Sequence, residues 1–103
     1  MSKQKYESNC QQRILRVLVH LFGHEVHGLA PGEIAKALSI NAANVTHDLA
    51  NLKIAGLAEQ IQDSGRWRLT PRLPQRALAM LNEIERCSNR VNEVQQRYTR
   101  TPT

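Results

Sequence analysis

Apolar residues recur at helical spacing through the first half of the chain and at strand spacing through its middle. In NCQQRILRVLVHLFG, beginning at Asn9, the residues Ile14, Leu15, Leu18, Leu21 and Phe22 form a broad apolar stripe. Gly23 follows as a left-handed stop. HEVHG reads as a polar turn and Leu29-Ala30 as a short strand. Pro31 suits the first position of a second helix, where its missing N–H has no intrahelical partner to lose, and that helix runs to about Leu38. A third helix spans about Ala42 to Ala55, with Asn41 as its N-cap and Gly56 as its end. Ile34, Leu38, Ile40, Val45, Leu49 and Leu52 fall where two crossed helices bury them.

After Gly56 the period drops to two. Leu57-Ala58-Glu59-Gln60-Ile61 and Arg66-Trp67-Arg68-Leu69-Thr70 flank the turn Asp63-Ser64-Gly65 and predict a hairpin. Leu57, Ile61, Trp67 and Leu69 are expected on one side of it, Arg66 and Arg68 on the other. Pro71 and Pro74 punctuate the exit, and a long helix follows to about Tyr98. Along it Ala77, Met80, Ile84, Cys87, Val91, Val94 and Tyr98 alternate spacings of three and four, a heptad seam without a break. A seam that one short domain cannot cover calls for a second copy, with Cys87 as a small buried member of it.

The expected fold is mainly α with a small β-hairpin: a winged helix-turn-helix with a long C-terminal dimerisation helix. Its parts are a flexible N-terminal arm at 1–8, the winged domain at 9–73, a coiled-coil helix at 74–98 and a flexible tail at 99–103.

Outside its apolar set the third helix carries small and hydrogen-bonding residues, a face suited to a major groove. Asn44, Thr46, His47 and Asn51 are the candidate base or phosphate contacts, and Ala43 and Ala50 allow close approach. Arg66, Arg68, Arg72 and Arg76 form a basic cluster at the wing, expected on phosphates. The whole chain carries 14 basic and 9 acidic residues, a net charge of +5, which agrees with a polyanionic partner.

Other classes find less support. No apolar run approaches the ~20 residues of a membrane span, and the N-terminus lacks the apolar core of a secretory signal. Cys10 and Cys87 are too few for a disulfide scaffold, so free thiols in a cytoplasmic, nucleoid-associated protein are expected. Asp48 and Glu33 are lone acids read as solvated or paired with lysine, and no catalytic motif or cofactor loop is present. His20, His24 and His27 are spaced for a metal, but Gly23 interrupts them and the polar turn is the reading adopted. No metal, cofactor, enzyme activity or small-molecule ligand is expected.

RILRVLVHLF, GLAPGEIAKALSINAANVTHDLANLKIAGLAEQ and GRWRLTPRL together resemble the N-terminal DNA-binding domain of the IclR family of bacterial transcription regulators, with MarR-like domains sharing the pattern. The resemblance covers about Gln12 to Leu81 and includes Trp67-Arg68-Leu69, an aromatic followed by leucine in the second wing strand. It departs from the family at Ser39, where glycine is usual, at His47, where arginine is common, and at Asp48, where an apolar residue is usual. No effector-binding domain is expected, since the chain stops at Thr103. The resemblance implies a small bacterial or phage regulator that binds double-stranded DNA at an inverted repeat as a homodimer. Repression by occlusion is the simpler expectation. The alternatives are a winged-helix module that docks a protein, or a DNA-binding accessory of replication or packaging.

Overall fold

A computed structural model describes residues 4–101, so parts of the arm expected at 1–8 and of the tail expected at 99–103 lie outside the described residues. The order is α1 (Asn9–Leu21), α2 (Pro31–Leu38), α3 (Ala42–Ile54), β1 (Ala58–Gln60), β2 (Trp67–Leu69) and α4 (Arg72–Thr99). Two compact units result, one ending at Arg72 and the other beginning at Leu73.

The first unit closes around α1. Ser8 caps that helix by accepting from the Gln11 N–H, and Val17 and Leu21 are fully buried. Leu15 and Phe22, expected inside, are instead about half exposed. The reason is angular: Ile14, Val17, Leu18 and Leu21 form one stripe, whereas Leu15, Val19 and Phe22 fall on its flank. Gly23 has the expected positive φ of 90°, but α1 stops two residues earlier, at Leu21. Ile34 of α2 and Val45, Leu49 and Leu52 of α3 complete the helical core. Asn41 caps α3 as expected, its side chain accepting from the Ala43 N–H at 2.7 Å.

The hairpin pairs Ala58 with Leu69, Glu59 with Arg68 and Gln60 with Trp67. Ala58 and Leu69 are therefore its buried pair; Leu57 and Ile61 flank β1 and are half-buried, one register step away from the face expected for them. Leu29 adds a one-residue third strand, exchanging both backbone bonds with Trp67 at 2.7 and 2.8 Å. Gly28 makes that approach possible. Its φ is +70°, and a Cβ there would lie 2.6 Å from the Trp67 carbonyl oxygen. This is a winged helix-turn-helix.

α4 starts at Arg72, before Pro74 rather than after it. Pro74 is the third helical residue, and first-turn N–H groups lack intrahelical acceptors anyway, so proline ends nothing there. No residue of α4 is buried in the single chain. Leu78, Met80, Leu81, Ile84, Val91, Val94 and Tyr98 are each more than half exposed, as is Cys87, contrary to burial within one chain.

The turn between α2 and α3 holds one strained residue. Ser39 is left-handed, at φ 55° and ψ 46°, the conformation that ends a helix most easily with glycine. Ser39→Gly should raise stability by about 0.5–1 kcal/mol, the relief of left-handed strain less the entropy that glycine adds to the unfolded chain. Urea unfolding with an unchanged slope is the measurement; a lower midpoint would show that the serine side chain compensates.

Candidate nucleic-acid interface

The outer face of α3 is placed by α1. Asp48 is only 3% exposed and shares the buried side of α3 with Val45, Leu49 and Leu52, not the solvated position expected of it. A carboxylate withdrawn from water needs a partner of matching geometry. Arg13 is that partner: Nε donates to Oδ2 at 2.7 Å and Nη2 to Oδ1 at 2.8 Å, fork against carboxylate. Hydrogen bonding to Asp48 raises the Arg13 pKa above its ordinary value. Nearly one turn along, Arg16 donates to the carbonyl oxygen of Leu38, the last residue of α2, at 2.8 Å. Two arginines of α1 thus hold both helices of the helix-turn-helix. Neither was singled out from sequence, although an acid at the spacing 45, 48, 49, 52 marks a buried charge that must be paired.

Ala43, Asn44, Thr46, His47 and Asn51 are all exposed, but they do not form one face. At about 100° per residue, Ala43 and His47 point opposite the buried ridge, with Ala50 and Ile54 beside them. Asn44 lies toward α1, in a hollow with Arg13, Arg16 and Asn41. Asn51 and His47 border a cleft with Cys10, Gln11 and Ile14. On the opposite flank, Thr46 shares a side with Lys53, which lines a cleft with Gln60, Gln62 and Gly65 of the hairpin. Thr46 and Asn51 each donate back to their own helix, to the carbonyls of Ala42 and His47. Asn51 keeps its Oδ1 and a second amide hydrogen for another partner.

The basic cluster is more divided than its spacing suggests. Arg72 and Arg76 belong to α4, not to the hairpin. Arg66 folds inward: Nε donates to the His27 carbonyl, Nη2 to that of Gly28, and Nη2 lies 2.8 Å from Glu33. It staples the hairpin to the loop before α2. Arg68 pairs across the strands with Glu59 at 3.0 Å, both side chains partly exposed. Arg72 donates to the Ala55 carbonyl at the C-terminal end of α3, where a positive charge suits the helix dipole. Among the described residues Lys36, Lys53 and Arg76 stand in no ion pair with a carboxylate. The +3 counted along the chain is thus offset in space by Glu33 and Glu59, acids distant in sequence from Arg66 or outside the counted window.

His20 and His24 have ring centroids 5.9 Å apart, and His27 lends its carbonyl to Arg66. Among the described residues no three His, Cys, Asp or Glu side chains group as a metal site.

The Arg13–Asp48 fork predicts a non-additive pair. Arg13→Ala should destabilise the chain strongly, because it strands a buried carboxylate; Arg13→Met with Asp48→Leu should restore most of the loss. Urea melts of the single and double variants check this, and additive losses would make the fork incidental.

Acid should loosen the wing. The Ala30 N–H donates to Glu33 at 3.0 Å, and this bond, then Arg66, holds the Glu33 carboxyl below its ordinary 4.5. A lowered folded pKa means the unfolded chain binds more protons in this range. The stabilisation is complete above 4.5 and is lost as the pH falls through the lowered value. Fluorescence of Trp67, the only tryptophan, should report unfolding whose acid limb is shallower in Glu33→Gln than in the parent.

No family model matches the chain, and no curated protein matches it. Among solved structures, an IclR family transcriptional regulator from Brucella abortus superposes with a TM-score of 0.67 over 80% of this chain, at 23% identity. The chain spans 31% of that regulator's length. S. aureus MepR bound to ethidium bromide covers 96% of this chain and is itself covered over 82%, at 22% identity, but its TM-score of 0.47 is too low to argue from. The chain shares the winged-helix fold of the Brucella regulator; at such identity the likeness is one of fold.

Proposed function

We propose that the chain is a homodimeric DNA-binding transcription regulator, with α3 entering the major groove. The observation that carries this reading is the outer surface of α3, where Ala43, Thr46, His47 and Ala50 are small or hydrogen-bonding and exposed while every large residue but Ile54 is turned inward. A helix that served packing alone would not need both properties. Ala43 and Ala50 permit close approach of the backbone, and Asn44, Thr46, His47 and Asn51 offer donors and acceptors to base edges or phosphates. Lys53 and Arg68 supply phosphate contacts beside the hairpin, since the exposed Arg68–Glu59 pair is weak enough to exchange for a phosphate. Arg66 and Arg72 serve the fold first. The exposed seam of α4, from Ala77 to Tyr98, is the dimerisation surface. A two-fold dimer favours an inverted repeat with half-sites whole helical turns apart, and repression by occlusion. The setting is the cytoplasm, at the nucleoid, with no enzyme activity and no small-molecule ligand.

The internal pairing of Arg66 and Arg68 gives one support to a second reading, a module that docks a protein through the same wing. Titration of the full chain against a random-sequence duplex separates the two. If about six phosphates are neutralised per dimer, the log–log salt slope should be about −5. Lys53→Ala and Arg68→Ala should each flatten it by about one and weaken all sequences alike, whereas Arg66→Ala should lower stability and leave the slope. Absence of binding at low salt would overturn the DNA reading and leave the docking module.

A further inference from the structure

We propose that α4 pairs with α4 of a second copy in antiparallel orientation, with Met80 facing Tyr98, Ile84 facing Val94 and Cys87 facing Val91 of the partner copy. The inference rests on reading α4 as the dimerisation element and adds what that reading leaves open, the direction of the partner. The surface is on the page: α4 is one unbroken helix of 28 residues, about 42 Å long. Its seam is bare, with Met80, Ile84, Val91, Val94 and Tyr98 between 52% and 83% exposed.

Charge at the edges of the seam selects the occupant. With Ala77, Ile84, Val91 and Tyr98 in the first core position of each heptad, the residues just before them flank the seam: Arg76, Glu83, Arg90 and Arg97. The opposite edge carries Leu81, Ser88 and Gln95, with no charge. In a parallel pair each edge meets the other kind of edge. Glu83 would then lie beside Ser88 and Arg90 beside Gln95, so no charge is answered. An antiparallel pair brings like edges together. In the stated register Glu83 meets Arg97 of the partner and Arg97 meets Glu83, two attractions against one Arg90–Arg90 contact at the dyad. Sliding one heptad in one direction adds Arg76–Arg97 repulsions, and sliding in the other sets Arg90 against Arg97 twice. Side-chain size agrees. A parallel pair would stack Ala77 on Ala77 and Tyr98 on Tyr98, whereas the antiparallel register sets Tyr98 against Met80. Glu83 already contacts Arg86 of its own helix at 2.7 Å, and that pair can persist beside the new one.

The test uses the full chain. Sedimentation over a concentration series gives the dimer dissociation constant for the parent, Glu83→Arg, Arg97→Glu and the double variant. Each single reversal should weaken the dimer about tenfold, and the double should recover most of that. The lost Glu83–Arg86 contact is common to the Glu83→Arg single and the double, so recovery isolates the intermolecular pair. In the Cys10→Ser chain, mild oxidation should leave Cys87 unlinked, because a disulfide needs Cα atoms within about 7 Å and the antiparallel register offsets the two thiols along the axis. A dimer with no recovery in the double, or with efficient Cys87–Cys87 linkage, would overturn the orientation and leave the dimer reading standing. A chain that stays monomeric at every concentration would overturn both.

Discussion

The fork between Arg13 and Asp48 is the constraint on which the arrangement of the first unit turns. Apolar packing alone would let α3 roll or slide against α1 at little cost, since Val17, Leu21, Val45 and Leu49 present rounded, non-directional surfaces. Two parallel hydrogen bonds at 2.7 and 2.8 Å allow no such freedom. They fix the rotation of α3 about its axis, and hence which residues it turns outward. A buried pair of this kind adds little net stability over an apolar substitute, but it penalises every arrangement that separates its members. Its value lies in choosing one geometry.

The same economy of charge runs through the unit. Arg16 takes the open carbonyl at the end of α2, Arg72 that at the end of α3, and Arg66 the two carbonyls before α2. Each guanidinium answers a backbone acceptor that helix termini or loops leave unpaired. A planar fork with several donors can satisfy acceptors on two segments at once, which a lysine ammonium does less well. The arginines of this chain are therefore first its cross-braces. Positive charge available to a partner has to come from the remainder, Lys53 and the exposed Arg68 among them.

Local chemistry made the element order legible. Asn41 as a cap, Pro31 at a helix start and glycine in the hairpin turn each act within a few residues, and the structure follows them. What the sequence concealed were consequences of distance. Arg66 meets Glu33 across 33 positions, and Arg13 meets Asp48 across 35, so a count of charges along the chain misjudged both. Pro74 misled for a different reason: proline disrupts a helix only where its N–H or its ring has something to oppose, which the first turn lacks. The candidate contacts on α3 were legible as exposed residues but not as a shape. Helical geometry spreads Asn44 and Thr46 to opposite flanks, and the partners of each flank, α1 on one side and the hairpin on the other, are tertiary facts.

α4 presents the reverse case, an element whose existence depends on what covers it. Its middle runs Cys87-Ser88-Asn89-Arg90-Val91-Asn92, mostly residues of modest helix propensity. Nothing in the single chain buries them. Propagation of a helix through such a stretch draws on tertiary packing more than on intrinsic preference. Burial of a large apolar side chain contributes on the order of 1.5–3 kcal/mol, so covering Met80, Ile84, Val91 and Val94 outweighs the few tenths lost per poor helix former. On the dimer reading, ordering of α4 and pairing of two copies are then coupled equilibria, and dilution would melt the helix from its Ser88–Asn92 stretch as it separates the copies.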